Sequence, residues 1–562
     1  MATEHAELAL PADLFHLLCE ELAARADYDT LSNCIASSKH IAKAGAIAAL
    51  YRISLGERSP LKGGGSDNLS FPEQDLVVMR WSILWRTLIL SALGGTLYPY
   101  CRHLRVLDLR DLSDLLDRMD EAKFKTKVAK HFFAGPLGRF HYTYQTTGKH
   151  RFVRLDIKRI LLEVGDQLTQ HAPLLESISE PSTSDVLSSA LPLWASRLGH
   201  LLELELWDGK ALADESLRNL LHVHCPKLNQ LRMHHSSGEH SDQCIAAFVS
   251  GLPPDTLIAF ENISLSQIGP ETCLALNNHG RSLVSLKLAL EEDGILALGL
   301  LQSCTRMRIL EIAALRTSVD LKTTQNDVFV EIVEWLKQCD ALTEVQFTSI
   351  ISAPDLLLPV LLNSNVKLRS LAITAKEDLM YVVKDHHDFH RALGRQSSLH
   401  SLTLRAEPEP VTRDDMEILM NTFCSLVHLR DLNLHRISDY ISDDHVALLA
   451  RALPQLESFS VGGYGISDMA LASVAQLRKL TTMTFAGLTR FTVDGILGFI
   501  EQLGAGNEGL VLSIEMAQPD SIISEEGQEI LREAIAHKVN GRFEYQPLRD
   551  PDVPEFDGSD SE

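Results

Sequence analysis

The chain repeats one short pattern of apolar and polar positions along most of its length. Apolar residues stand at the first, fourth and sixth positions of each copy, as in LRDLNL from Leu429 to Leu434. Copies begin at Leu104, Phe152, Leu201, Leu228, Leu257, Leu283, Met307, Leu342, Leu368, Leu399, Leu429, Leu456 and Leu480, with a degenerate copy near Leu175. From Leu201 onward the steps are 24 to 35 residues long, a spacing typical of stacked repeats.

Each copy predicts one strand followed by one helix. Leu432 and Leu434 are two residues apart, so they project to the same face of a strand while polar residues project to the other. The next segment changes to a helical spacing, and Ser442 is placed to cap that helix. The predicted buried positions of the helix are Val446, Leu449, Ala450 and Leu453.

A single strand and helix cannot cover their own apolar face, so neighbouring copies must stack. The predicted fold class is therefore α/β: a curved leucine-rich-repeat solenoid over residues 75–540, with parallel strands inside and helices outside. The alternative is an all-α protein, because amphipathic leucine-rich helices also produce this pattern by chance.

The first part of the chain follows a different pattern, and residues 8–55 predict three short helices. Pro11 suits a helix start, and one face of the helix that follows carries Leu14, Leu17, Leu18 and Leu22. A unit of under 50 residues has a marginal core. A partner surface would complete it.

These residues resemble an F-box. Its opening is matched by Leu10, Pro11, Asp13, Leu14, Phe15 and Leu18. Its ending is matched by Leu50 and Tyr51, and SSKHIAKAGAIAALYRI is similar to the endings of fungal F-box proteins. Ser38, Lys39 and Ile41 stand where the family often carries a cysteine, a basic residue and a tryptophan. The stretches LRVLDLRDLSDLLD and FFAGPLGRFHY also resemble a class of fungal F-box and leucine-rich-repeat proteins.

The resemblance implies a non-catalytic substrate-recognition adaptor of an SCF-type (Skp-cullin-F-box) ubiquitin ligase. The F-box would bind a Skp-family linker and, through it, a cullin-RING ligase; the repeats would hold a protein target for ubiquitination and proteasomal degradation. The residues implied in linker binding are Leu10, Pro11, Leu14, Phe15, Leu18, Leu31, Ile35, Leu50 and Tyr51. The alternative for each is that it packs inside the small helical unit.

Side chains that alternate with the buried leucines predict the target-binding face. Glu203, Glu205 and Trp207 would face Arg232 and His234, an acidic and aromatic cluster that suits a protein or peptide surface. The alternative is that Trp207 packs beneath a neighbouring loop.

Two further function classes stay open. One is a ligase-independent leucine-rich-repeat scaffold that binds proteins. The other, an enzyme or a GTPase-regulating solenoid, is disfavoured because no catalytic set is visible and the F-box would be unexplained. We expect no catalytic residues and no cofactor. A metal is also not expected, because the histidines and cysteines between His222 and Cys244 follow no zinc-ligand spacing.

Charge and composition restrict the partners and the compartment. The formal net charge of −23 opposes binding to nucleic acid or anionic membranes. Nine cysteines without a C-x-x-C pair indicate reduced, mostly buried thiols. No secretory signal is visible at the start of the sequence, so an intracellular protein of the cytoplasm or nucleus is expected.

Two segments are predicted to lie outside the folded parts. Residues 56–74 are rich in Gly, Ser and Pro and predict a linker or loop between the F-box and the repeats. Residues 541–562 are predicted as an acidic, disordered tail.

Overall fold

The computed structural model describes residues 11–25, 27–52, 71–146, 152–181, 185–236, 238, 240–264, 267–316, 318–375, 379–408, 411–518 and 521–548. The chain divides into two compact units, residues 1–263 and 264–562. Residues 8–55, predicted as a separate domain, therefore belong to the same unit as the first strands of the repeat region. Leu10, residues 56–70 of the predicted linker and residues 549–562 of the predicted tail lie outside the described residues.

The first unit begins with helices and continues with strand and helix pairs. Its helices are α1 Ala12–Ala24, α2 Tyr28–Ser37, α3 Lys39–Ile41, α4 Ile47–Arg52, α5 Phe71–Ala92, α6 Leu109–Asp120, α7 Ala122–Phe124, α8 Lys130–Phe132, α9 Ile157–His171, α10 Val186–Trp194, α11 Glu215–His224 and α12 Ser241–Gly251. Its strands are β1 Val106–Asp108, β2 Thr143–Gln145, β3 Val153–Leu155, β4 Ser177–Ser179, β5 Glu203–Asp208, β6 Gln230–His235 and β7 Ala259–Asn262.

The first four helices form a small core of their own. A π-helical turn, Ala42–Ala46, joins α3 to α4, so the third predicted helix is one interrupted segment. The helix α1 passes close to this turn, because a Cβ atom added at Gly45 would lie 3.0 Å from the Cα atom of His16. The buried residues of this core are Cys19, Ala23, Leu31, Ala46 and Ala49. All of them except Leu31 are Cys or Ala, so the core has little apolar volume.

Five strands of the first unit form a parallel sheet in the order β1, β4, β5, β6, β7. One apolar row runs through it in register: Leu107, Ile178, Leu204, Leu231 and Phe260. The Asp214 carboxylate caps α11 by accepting the Ser216 N–H at 2.8 Å. Alternation of buried and half-exposed residues along β6 leaves one polar face of the sheet accessible.

The second unit repeats the same pattern of strand and helix, and its ten parallel strands lie in chain order. These are β8 Ser285–Leu290, β9 Ile309–Ala314, β10 Glu344–Thr348, β11 Ser370–Thr374, β12 Ser401–Arg405, β13 Asp431–Arg436, β14 Ser458–Gly462, β15 Thr482–Ala486, β16 Val511–Ala517 and β17 Arg542–Pro547. Its helices are α13 Pro270–Leu276, α14 Glu292–Leu296, α15 Leu321–Thr324, α16 Asn326–Lys337, α17 Ala353–Leu362, α18 His387–Leu393, α19 Arg413–Cys424, α20 Asp443–Ala452, α21 Asp468–Val474, α22 Val493–Gln502 and α23 Glu525–Val539.

A buried apolar row crosses all ten of these strands in register. Its members are Leu286, Leu310, Val345, Leu371, Leu402, Leu432, Phe459, Met483, Leu512 and Phe543. The predicted buried positions of α20 and its C-cap residue are confirmed, because Val446, Leu449, Ala450 and Leu453 are at most 3% exposed. The α/β class and the parallel strand and helix repeat are therefore present, and an all-α protein is excluded.

The prediction that a repeat begins at Phe152 is wrong. The strand β3 pairs antiparallel with β2 and does not join the parallel sheet. Ile157, the sixth position of that copy, begins the helix α9, and the Asp156 carboxylate caps it by accepting the Arg159 N–H. The spacing of apolar residues alone did not separate a strand from a helix start.

Two predicted boundaries also need correction. The helix α5 begins at Phe71, inside the segment predicted as a linker or loop. At the other end, β17 pairs with β16 over residues that were predicted as a disordered tail. The signal for these last two strands was missed because Gly509 and Asn540 replace the first leucine of the pattern. Both adopt a left-handed conformation, with φ of 77° and 53°, which leucine disfavours.

Candidate binding surfaces

The helix α1 presents an apolar face to solvent. Leu14, Leu17 and Leu18 are 44%, 62% and 51% exposed, and their spacing places them side by side on the helix. Pro11, also exposed, stands at the N-cap position of the same helix. We call Pro11, Leu14, Leu17 and Leu18 the α1 apolar face. Large apolar side chains gathered in this way are typical of an interaction site.

The other predicted linker-binding residues turn toward the protein. Phe15 is 9% exposed and meets His40 edge to face at 6.0 Å between ring centroids. Leu31 is fully buried in the small core, and Ile35 and Leu50 pack against that core. Tyr51 contacts the ring of Tyr100 at 5.1 Å. Phe15, Leu31, Ile35 and Leu50 therefore pack inside the small helical unit, which is the alternative considered for them. Tyr51 packs instead against Tyr100, which follows α5.

The predicted target-binding residues come together on the polar face of β5 and β6. Register pairs Glu203 with Gln230 and Glu205 with Arg232. The Glu205 carboxylate is 5% exposed, and His234 Nε2 lies 3.0 Å from its Oε1 atom. Arg232 Nη1 lies 3.6 Å from Glu203 and 3.8 Å from Glu205. The sequence therefore predicted the correct neighbours across these two strands.

Two residues outside the prediction complete this cluster. Arg110 binds Glu205 with both ends of its guanidinium, at 2.7 and 3.0 Å. Arg232 Nε donates to Glu261 at 2.7 Å. We call Arg110, Glu203, Glu205, Arg232, His234 and Glu261 the Glu205 cluster. Arg110 lies 95 residues from Glu205 along the chain, and this separation hid the contact in the sequence.

Most charged side chains of the Glu205 cluster are paired with an opposite charge in the same cluster. Burial opposes the charge of Arg232, yet Glu261, Glu205 and Glu203 raise its pKa above the usual value. A partner that used the Glu205 carboxylate would first have to break its bidentate bond to Arg110. The Glu205 cluster therefore serves mainly to hold neighbouring strands together.

Trp207 is half-buried at the end of β5. Its ring lies 4.8 Å from the ring of His234 and 5.4 Å from that of His235. Its backbone N–H donates to the buried carboxylate of Glu180 at 2.9 Å. Burial raises the pKa of Glu180 to about 7, although this bond and the Leu187 N–H lower it. Part of the Trp207 ring stays accessible beside the Glu205 cluster.

A second buried carboxylate lies behind the sheet. Asp111 accepts hydrogen bonds from the indole N–H groups of Trp81, at 2.8 Å, and Trp85, at 2.6 Å. Burial raises its pKa to about 6, while both indoles lower it. This contact fastens α5, the first helix after residues 53–70, to α6.

The described residues offer few other chemical sites. All nine cysteines are free thiols, and burial raises the pKa of Cys225 to about 12. No group of three or more His, Cys, Asp and Glu side chains is placed to hold a metal ion within the described part of the chain. None of the described helices combines the length and apolar character needed to cross a membrane.

Comparisons with known proteins find likenesses among solved structures but none among families or curated sequences. No protein-family model matches the chain, and no curated protein sequence matches it. The crystal structure of the Rad7 and Elc1 complex in yeast aligns with a TM-score of 0.40 and 14% sequence identity, covering 84% of this chain and 96% of that chain. At that identity and TM-score, function has to be inferred from the residues of this chain.

Proposed function

We propose that the chain is a non-catalytic substrate-recognition adaptor of an SCF-type ubiquitin ligase. The α1 apolar face would bind a Skp-family linker, and the polar faces of the sheets would hold a protein target. The adaptor would contribute proximity between target and ubiquitin-charged enzyme, which raises the effective concentration of the reacting groups. An intracellular location, in cytoplasm or nucleus, follows from this role.

The α1 apolar face is the observation that carries the proposal. Three exposed leucines on one short helix are costly in water, since each would gain roughly 1.5–3 kcal/mol on full burial. The inner side of the same helix is held by Phe15 and Cys19, which are 9% and 2% exposed. Thus the helix cannot turn its leucines inward without losing its own core. A partner surface would remove the exposure.

Capture of purified linker tests the proposal. We expect the intact chain to bind a Skp-family linker with its cullin, and Leu14→Glu with Leu18→Glu to reduce that binding at least a hundredfold, because two charges would enter an apolar interface. The matched control is Leu193→Glu with Leu362→Glu, which alters leucines that are 67% and 57% exposed on α10 and α17. This control should bind the linker normally.

The opposite results identify the scaffold alternative. The inward packing of Leu31, Ile35 and Leu50 favours it, since these residues are occupied inside the unit. If the chain captures protein targets while neither linker nor cullin binds it, the ligase role is wrong and the scaffold role stands. Should both pairs of leucine variants lose the linker equally, the α1 apolar face is not the docking site.

For the target, Trp207 is the accessible group beside the Glu205 cluster that we propose as a contact. Trp207→Ala should weaken target binding without changing linker binding, because Trp207 contributes none of the α1 apolar face. A target that binds Trp207→Ala and the unaltered chain equally would remove this contact from the proposal.

A further inference from the structure

Additional residues interrupt the repeat between the first two strands of the parallel sheet. Asp108 of β1 and Ser179 of β4 are register partners although 71 residues separate them. The next pair in the sheet, Ser177 with Glu203, is separated by 26 residues. The additional residues include the stretch FFAGPLGRFHY, residues 132–142, which the stacking of strands does not require. Segments of this kind, carried on a rigid scaffold, are a common place for function.

The same region forms a pocket of about 360 Å³. Its walls are mostly apolar and come from Met119, Ala129, Phe133, Val153 and Leu155. Pockets of about 300–1,000 Å³ with mostly apolar walls are typical of small-molecule sites. The volume equals the share of about twelve water molecules in the liquid, which is more than one amino-acid side chain fills. Its size and character therefore suit a small apolar molecule.

An irregular helical turn forms one wall of this pocket. The π-helical turn Lys125–Ala129 joins α7 to α8, and both Lys125 and Ala129 line the pocket. Single π-helical turns are rare in proteins and occur frequently at functional sites. The turn is a second feature, independent of the volume, that marks this region.

Hydrogen bonds fix the aromatic wall of the pocket. The Arg86 guanidinium donates at 3.1, 2.5 and 2.9 Å to three backbone carbonyl oxygens, those of His131, Phe132 and Ala134. These bonds hold the backbone on both sides of Phe133, whose ring centroid lies 4.6 Å from that of His141. A wall that is already fixed loses little conformational freedom when a ligand binds.

Asp120, the carboxylate that lines the pocket, is neutralised by its neighbours. It is 8% exposed, and its two oxygens contact Lys125 Nζ at 3.0 Å and Arg154 Nη1 at 3.2 Å. Lys125 Nζ also donates to the Val153 carbonyl at 2.5 Å. These contacts join the end of α6 to the antiparallel pair of β2 and β3. Asp120 and Lys125 are therefore occupied in holding the pocket together.

Lys130 is the lining residue that can offer its charge to a ligand. It begins α8, and its ammonium group has no ion-pair or hydrogen-bond partner within the described part of the chain. His141 and Thr143 add an imidazole and a hydroxyl group to the lining. A lysine ammonium group binds a carboxylate through charge-assisted hydrogen bonds. Apolar walls beside one unpaired cation favour a ligand with an apolar body and a single negative charge.

We propose that this pocket binds a small apolar carboxylate, with its hydrocarbon part against Met119, Phe133 and Leu155 and its carboxylate at Lys130. The proposal goes beyond the adaptor role and does not depend on it, because the pocket shares no residue with the α1 apolar face or the Glu205 cluster. A single side chain of a protein partner fits less well, since it would leave much of the volume unfilled.

Isothermal titration calorimetry of the intact chain with octanoate, octanol and octylammonium tests the proposal. The three probes share one alkyl chain and carry a negative, a neutral and a positive head group. We expect octanoate to bind about fivefold more tightly than octanol, because it gains the contact with Lys130, and octylammonium to bind more weakly than octanol. Lys130→Met should reduce the affinity for octanoate to that for octanol and leave the affinity for octanol unchanged.

The matched control is Lys367→Met, which removes the same charge from an exposed lysine of the second unit. It should change the affinity for octanoate less than about twofold. Ala129→Phe places a large ring in the pocket and should lower the affinity for octanoate and octanol about tenfold or more, with folding checked by circular dichroism. Val153→Trp narrows the same pocket from a position on β3 that is 47% exposed, and it serves if Ala129→Phe does not fold.

Four results would overturn the inference. The first is octanoate binding that is absent or no tighter than octanol binding, and the second is an equal loss in Lys130→Met and Lys367→Met. The third is octanoate binding that survives whichever of Ala129→Phe and Val153→Trp folds. The fourth is tighter binding of a Gly/Ser peptide with one phenylalanine than of octanoate, which would assign the pocket to a protein partner.

The same assay separates the pocket from the proposed ligase role. Leu14→Glu with Leu18→Glu removes the α1 apolar face and should leave octanoate binding unchanged. Loss of octanoate binding in that variant alone would place the probe on the α1 apolar face and also overturn the inference. Failure of the adaptor role and failure of the pocket are therefore distinguishable.

Discussion

The parallel strands of the two units share one backbone plan but differ on their polar faces. In the first unit the face is crossed by the Glu205 cluster, whose charges pair across strands at 2.7 to 3.8 Å. From β12 to β16 of the second unit the same positions hold short polar side chains, which we call the small polar row: Thr403, Asn433, Ser460, Thr484 and Ser513. The buried apolar row is alike in both. The difference therefore lies in the side chains of the polar face, which are charged and partly buried in the first unit and short in the second.

This difference separates two uses of one scaffold. Buried, mutually bound charges restrict which neighbours a strand can accept, and they are costly to disturb once their partners are in place. Short hydroxyl and amide side chains set few such restrictions and leave space above the sheet. Thus the first face is suited to holding its strands together, and the second face is suited to receiving another chain.

The largest expected effect comes from breaking the Glu205 cluster. Glu205→Gln should lower the free energy of unfolding by about 3 kcal/mol, because Arg110 and Arg232 lose the charge that compensates their partial burial. Chemical denaturation measures this loss. The matched control is Glu311→Gln in the second unit, where Glu311 pairs with Lys287 at 2.9 Å and both side chains are about one third exposed.

The control should cost less than about 1 kcal/mol, since exposed ion pairs contribute little. Equal losses in Glu205→Gln and Glu311→Gln would show that the two faces do not differ in the way described.

Acidification should change the stability of the two units in opposite directions. In the first unit the raised pKa of Glu180, about 7 against a usual 4.5, makes the folded state take up a proton before the unfolded state. Lowering the pH from 7.5 to 5 therefore adds about 2 kcal/mol. In the second unit burial lowers the pKa of His390 to about 3 from 6.5. The unfolded state takes up that proton first, so the same change removes about 2 kcal/mol.

Hydrogen exchange at both pH values, corrected for intrinsic rates, measures each unit separately. Glu180→Gln should flatten the response of the first unit alone, and His390→Phe that of the second alone. A common direction of change in both units, unaffected by either variant, would contradict the assignment to these buried groups.

The smallest expected effect belongs to the small polar row. Ser460→Ala should change the free energy of unfolding by less than about 0.5 kcal/mol, because the side chain is half-buried and lies away from caps, bulges and ion pairs. Thermal and chemical unfolding both measure it. A loss above 1 kcal/mol would mean that the row has a hydrogen-bonding role within the sheet, and the contrast with the Glu205 cluster would be weaker.

Particular residues show how much of the structure could be predicted from the pattern of apolar and polar positions. Glu205 and Arg232 were predicted to be neighbours because both follow a leucine in consecutive copies of the repeat. Arg110 was not predicted to join them, because β4 lies between β1 and β5 while the chain also passes through β2 and β3. Because a repeat was wrongly predicted at Phe152, the separate pair of β2 and β3 was not anticipated. Leu17, the most exposed leucine of the α1 apolar face, was visible on that face but not among the predicted contacts.

By itself the sequence determined the period of the repeat, the alternation of strand and helix, and the side of each strand that is buried. These properties are local, because the side-chain period of a strand or helix is set by its own backbone. The tertiary structure decided which leucines of the first helices stay exposed, which charges meet, and where the register between β12 and β13 shifts. Each of these depends on how separate segments of the chain align with one another. That alignment is set by packing between the segments, so it cannot be predicted from any one of them alone.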